Sequence, residues 1–99
     1  MELKFEWDEE KNDINIMKHG ISFNEAKMIF YDHMRYEIPD QIHSIMEERW
    51  KITGLVGWTV FTASCTERNG RIRIISARKA DKKEEEEYFN GYCTANNKH

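Results

Sequence analysis

The period of hydrophobic and polar positions changes along this chain, and each change marks an element. Leu3-Lys4-Phe5-Glu6-Trp7 alternates, which predicts a first strand with Leu3, Phe5 and Trp7 inward. Asp8 then caps a helix whose positive N-terminal end suits Glu9 and Glu10. Ile14 and Met17 mark its expected buried stripe, and Lys18-His19-Gly20 ends it, with glycine at the left-handed position. Ser22-Phe23-Asn24-Glu25 is a capping box opening a second helix with Phe23, Ala26, Ile29 and Phe30 on its apolar face. Arg35 to Ile38 reads as a short strand halted by Pro39, followed by a loop over 39–46. Alternation from Glu47 to Thr53 gives another strand, ending near Gly54. Residues 58–66 and 71–79 pair as a hairpin, and Asp81 with Glu84 opens a last helix that docks through Tyr88 and Phe89 and stops at Gly91. The order β-α-α-β-β-β-β-α groups helices apart from strands. It predicts an α+β domain over 1–90, with an antiparallel sheet of four to five strands, helices on one face, the other face open, and a flexible tail over 91–99.

Asn69-Gly70 sets the hairpin, because a type I′ turn needs positive φ at both central residues. Arg68 then faces Arg71, Glu67 faces Ile72, Thr66 faces Arg73, Cys65 faces Ile74, Ser64 faces Ile75, Ala63 faces Ser76 and Phe61 faces Arg78. Alternation sorts Phe61, Ala63, Cys65, Ile72 and Ile74 to a buried face. The other face carries Thr62, Ser64, Thr66, Arg68, Arg71 and Arg73, with Ile75 and Ala77 among them. In this register Arg78 falls on the apolar side, at a strand end where twist or a bulge can redirect it.

Charge sharpens the picture of that polar face. The chain has 99 residues and a net charge of −3. Residues 1–50 hold six Lys/Arg against twelve Asp/Glu, whereas residues 66–83 hold seven against two. A local basic patch on an acidic chain points to an anionic partner, because the field at a site comes from charges within roughly 10 Å in salt. No apolar run approaches a membrane span, and Met1-Glu2-Leu3-Lys4 is not a signal peptide, so no membrane role and a cytoplasmic location are expected. Cys65 and Cys93 read as reduced thiols, and His19, His33, His43 and His99 have no zinc-like spacing. Neither a metal nor a cofactor is expected.

Three segments in order resemble a known family. Phe5-Glu6-Trp7-Asp8, Lys11, Asn15, Lys18-His19-Gly20-Ile21-Ser22-Phe23, Glu25-Ala26 and Phe30 are similar to the N-terminal signature of the BrnT toxins of type II toxin–antitoxin systems. His43-Ser44, Glu47-Glu48-Arg49 and Gly54 resemble their middle segment. Thr66-Glu67-Arg68 and Ile72 to Ala80, followed by Glu84 and Tyr88, resemble the closing segment. Cys65 departs from the pattern, since an aromatic or histidine is commoner there. The resemblance implies a RelE-like fold and a metal-independent endoribonuclease that halts translation. It also implies a BrnA-like ribbon-helix-helix antitoxin as partner, with operator DNA bound only through that antitoxin.

Cleaving RNA without a metal requires deprotonating a 2′-hydroxyl, stabilising a pentavalent phosphate and protonating the 5′-oxygen. Arginine suits the second task with a permanent charge and a planar fork. Arg73, mid-strand on the polar face, is the first candidate, and Arg78 follows chiefly from the resemblance. Glu48 beside Arg49 reads either as base and clamp or as a plain surface ion pair. His43 in its polar loop is a candidate proton carrier, since an imidazole ordinarily titrates near about 6.5. Arg68, Arg71 and Lys79 are candidate RNA contacts. Lys18 and His19 read as contacts or as helix-ending residues, and Tyr88 as a base-stacking or a packing side chain. Beside the nuclease stands a second reading, in which the same arginines hold an antitoxin or a nucleic acid without cutting.

Overall fold

The computed structural model describes residues 2–43 and 47–97, with side chains described through Gly91; Ser44 and His99 lie outside the described residues, as does the side chain of Cys93. Its elements are β1 (Phe5–Glu6), α1 (Glu9–His19), α2 (Phe23–Ala26) running into a 3-10 helix (Lys27–Tyr31), β2 (Tyr36–Pro39), β3 (Trp50–Val56), β4 (Thr59–Arg68), β5 (Arg71–Lys79) and α3 (Lys82–Asn97). The expected order of elements is therefore present. The sheet has five strands in the order β1-β5-β4-β3-β2. It is mixed rather than purely antiparallel, because β1 lies parallel to β5. The hairpins linking β2 through β5 reverse direction at each step, whereas the whole intervening chain serves as the long crossover that a parallel pair needs.

Local signals operate where they stand in the sequence. The Asp8 carboxylate accepts from the backbone N–H of Glu10 and Lys11, and Gly20 closes α1 at φ 71°. Ser22 and Glu25 cap each other's backbone at the start of α2. Asn69 and Gly70 both take positive φ, at 54° and 76°. Gly91 does not: it stays inside α3, and the helix continues past the expected stop because glycine ends a helix by adopting the left-handed region. β3 similarly runs through Gly54 to Val56. A Cβ there would come within 3.0 Å of the Ile29 side chain, so the glycine marks close packing rather than a strand end.

The core lies between one sheet face and α2 with its 3-10 continuation. Phe23, Ala26 and Ile29 are fully buried at a spacing of three, the period at which a 3-10 helix stacks side chains in line. They meet Ile52, Ala63, Cys65, Ile74 and Ala77 from the sheet. Burial pushes the Cys65 thiol up to about 12. The helices leave a cleft of about 320 Å³ at the Leu3, Phe30, Trp50 and Ile72 end of this face. Leu3 is therefore more exposed than its place in the first-strand alternation predicts.

α1 departs from the amphipathic reading. Ile14 and Met17 are 45% and 87% exposed, and the buried residue is Asn15. The reason is the edge of β5. β1 pairs only with Ile72 and Arg73, so the backbone of Ala77 has no strand on its outer side. The Asn15 side chain takes that place: its Oδ1 accepts from Ala77 N–H at 3.1 Å, and its Nδ2 donates to Ala77 C=O at 2.8 Å and Ile21 C=O at 3.0 Å. An apolar side chain would leave those buried groups unpaired.

α3 occupies the opposite face, so the helices do not all lie on one side. Tyr88 is 4% exposed, and its hydroxyl donates to the Asp32 carboxylate, which also accepts from Leu55 N–H at 2.8 Å and Met34 N–H at 2.9 Å. Burial alone raises the Asp32 pKa, but the Tyr88, Leu55 and Met34 bonds and nearby Arg35 outweigh it and hold it below the ordinary value.

Replacing Asn15 by Leu is expected to destabilise the protein by about 2–4 kcal/mol in urea unfolding with an unchanged m value, because both Ala77 groups lose their partner. The depressed Asp32 pKa contributes stability that is complete above its unfolded value and lost as pH falls through the lower folded value. Asp32→Asn is thus expected to unfold more easily at neutral pH, with the difference from wild type shrinking below about pH 4 in thermal melts.

Candidate nucleic-acid interface

A β-bulge decides which side chains share the face opposite the core. The pairing shifts between Ser64 and Cys65: Cys65 opposes Ile74 as expected, but Ser64 opposes Ser76, Ala63 opposes Ala77, Thr62 opposes Arg78 and Phe61 opposes Lys79. Ile75 is the extra residue. Beyond it every side chain of β5 changes sides, so Ala77 turns into the core and Arg78 turns out, correcting the unbulged register.

The face then holds three rows that cross the strands. The first runs from Glu6 on β1 to Arg73 on β5 and Thr66 on β4, whose hydroxyl donates to the Glu48 carbonyl at 2.6 Å. The second contains Ser76, Ser64, Lys51 and Ile38. The third contains Arg78, Thr62, Thr53 and Tyr36.

α3 covers the third row. Arg78 forms a two-pronged ion pair with Glu84, at 2.6 and 3.1 Å, and the Tyr36 hydroxyl donates to the Glu84 carbonyl at 3.1 Å. The hydroxyls of Thr53 and Thr62 bond to each other at 2.8 Å, and both residues are buried. Burial raises the Glu84 pKa, but the Arg78 pair, the Asp81 N–H and the Thr62 hydroxyl bring it below the usual value. The same pair raises Arg78 against its own burial. Arg78, Lys79 and Tyr88 therefore sit at the helix-covered end, and the buried Tyr88 ring offers no free face for stacking a base.

The first row stays uncovered by that helix. Arg73 is 25% and Glu6 27% exposed at their side chains, and Arg73 Nη1 donates to Glu6 Oε2 at 2.8 Å. Most of the other predicted residues lie at the same end of the sheet. Glu47 accepts from Arg68 at 3.1 Å and from Arg49 at 3.4 Å, and its pKa is lowered chiefly by the Arg68 bond. Asp40, whose N–H bonds the Arg49 carbonyl, holds His43 Nδ1 at 2.9 Å. Burial raises the Asp40 pKa, but the His43 bonds and Lys51 bring it below the ordinary value. Glu48 is exposed, and Arg71 at the turn makes no ion pair among the described residues. Lys18 and His19 lie apart, flanking the second row. With Lys11 and Ser76 they line a depression of about 190 Å³ between α1 and β5.

The face is thus less bare than expected. Arg73, Arg78 and Arg68 each meet a carboxylate from elsewhere in the chain. Sequence reasoning missed Glu6 as the partner of Arg73, together with Lys11 and Lys51 as members of the site. Outward alternation between Phe5 and Trp7 pointed to an exposed Glu6, but nothing local indicated which strand it would join. Among the described residues no three His, Cys, Asp or Glu side chains gather as a metal-ligand set, and no helix is long and apolar enough to cross a membrane.

A comparison with curated proteins finds no match. The profile of one family does match, over residues 7–84, which takes in α1, the whole β2–β5 sheet and the start of α3, and so Arg73, the Glu47 cluster and the Arg78–Glu84 pair. The chain that builds this arginine-bearing face is a member of the BrnT family, the ribonuclease toxins of type II toxin–antitoxin systems.

Proposed function

We propose that this protein is a metal-independent endoribonuclease toxin that cuts RNA on the uncovered rows of its sheet and so inhibits translation in the cytoplasm. Its cognate antitoxin, a BrnA-like ribbon-helix-helix protein, neutralises it and carries the complex to operator DNA. The observation that carries this reading is Arg73. It stands partly exposed beside the Ser64–Ser76 row and uses one N–H on Glu6, which leaves the rest of its fork for phosphate oxygens.

Arg73 is assigned the clamp on the scissile phosphate. Arg68, Arg71, Arg49, Glu48 and His43 line the same end and meet the flanking strand, while Lys18, His19 and Lys11 meet phosphates that pass over Ser76. Arg78 is assigned a different part: with Tyr88 it anchors α3. Lys79 sits beyond it at the end of β5, and an RNA contact there requires the strand to pass the end of α3.

Two substitutions separate these assignments. Expressed without a partner, Arg73→Ala is expected to relieve growth arrest and lower RNA cleavage by about 10²–10³-fold. Its melting temperature should stay near wild type, because a single ion pair between partly exposed side chains contributes under about 1 kcal/mol. Arg78→Ala is expected to destabilise the fold by about 1–2 kcal/mol while the folded fraction keeps cutting. Arrest unchanged by Arg73→Ala would remove that residue from the site. Wild-type protein that binds the antitoxin yet leaves RNA intact would instead favour a binding module.

A further inference from the structure

We infer that Glu6 is the general base of the cleavage reaction, taking the proton from the 2′-hydroxyl next to the phosphate that Arg73 holds. The inference rests on the nuclease reading above and adds a residue to it.

Reach singles out Glu6. A base must lie within about 3 Å of the proton it removes, and the attacking 2′-oxygen is joined through its own ribose to the scissile phosphate. The base must therefore stand beside the clamp. Glu6 does: its carboxylate is 2.8 Å from Arg73 Nη1, on the neighbouring strand, at the paired position and on the same face. Glu67 on β4 pairs with Ile72 and so belongs to the opposite face, and the remaining proton carriers at this end lie on the far side of β4. Glu48 is reached across Thr66, two strand spacings or about 10 Å from β5, and His43 sits beyond that, on Asp40. At 27% side-chain exposure Glu6 is open to a ligand yet held in place. β1 keeps it there, since Phe5 is packed edge-on against Phe30 and Trp7 against Phe23 on either side.

In the step, the 2′-hydroxyl proton passes to a Glu6 carboxylate oxygen as the 2′-oxygen forms its bond to phosphorus. Arg73 bonds the non-bridging oxygens as their charge grows. The bond from phosphorus to the 5′-oxygen breaks, its electron pair stays on that oxygen, and the oxygen takes a proton from water. The products are a 2′,3′-cyclic phosphate and a 5′-hydroxyl, and Glu6 returns its proton to solvent.

Glu6→Gln keeps the size of the side chain and an oxygen for Arg73 but cannot accept the proton. Its binding to an RNA carrying 2′-deoxyribose at the cut site is expected to stay within about threefold of wild type, while its single-turnover rate on intact RNA falls about 10²–10⁴-fold. Glu6→Ala should be equally slow and recover about tenfold or more on adding acetate, which wild type ignores. Glu6→Asp keeps the charge beside Arg73 but draws it back by one methylene, so its rate should fall about tenfold or more even if Glu6→Gln fails to fold. Cleavage by folded Glu6→Gln or Glu6→Asp within about threefold of wild type would overturn the assignment and leave the nuclease reading standing, as would Glu6→Ala that ignores acetate. Wild-type protein that leaves RNA uncut would overturn both.

Discussion

The rest of this structure depends on how the outer edge of β5 is closed. β1 is two residues long and covers Ile72 and Arg73 only. Further along, the strand's backbone would face solvent or the underside of α1 with nothing to bond. The side-chain amide of Asn15 supplies a donor and an acceptor to the same residue, Ala77, and so extends the sheet by one pair without a strand. Asp32 does a related task at the opposite corner, where Leu55 runs past the start of β2. Each polar anchor also ties down a helix: α1 through Asn15, and α3 through the Asp32–Tyr88 bond.

The Ala77 anchor and the bulge before it divide β5 into two halves with opposite sidedness. Below Ile75 the strand sends Arg73 to the open face and Ile74 to the core; above it, Arg78 goes to the open face and Ala77 to the core. One inserted residue thus lets two arginines an odd number of positions apart share a face. α3 then treats them differently. It engages Arg78 through Glu84 in a two-pronged pair and leaves Arg73 to a single bond with Glu6, so one arginine is tied to a helix and the other to the edge strand.

Much of this was legible in the sequence, and the boundary follows the range of the interactions. Features set within a few residues were readable: the Asp8 and Ser22 caps, Gly20, the Asn69-Gly70 turn and the order of elements along the chain. Features set by distant partners were not. The parallel pairing of β1 and the inward turn of Asn15 at 62 residues from Ala77 depend on which backbone groups are left unpaired after the sheet forms. The bulge has no glycine or proline to announce it. The same rule applies to charge: Arg73 and Glu6 are 67 positions apart, so the cationic cluster at 66–83 was visible while its neutralising partners were not. Family likeness drew attention to Asn15 and Arg73 without saying what either would meet.

The central claim is that RNA lies over the Arg73 half of this face and not over the half beneath α3. Backbone amide chemical shifts of the protein titrated with a short RNA made uncleavable by 2′-deoxyribose test it most directly. Shifts concentrated at Glu6, Ser64, Thr66, Arg73 and Ser76, with Tyr36, Thr53, Thr62 and Arg78 unmoved, are the expected result. Shifts centred on Thr53, Thr62 and α3, or on the cleft between Leu3, Trp50 and Ile72 on the other side of the sheet, would contradict it.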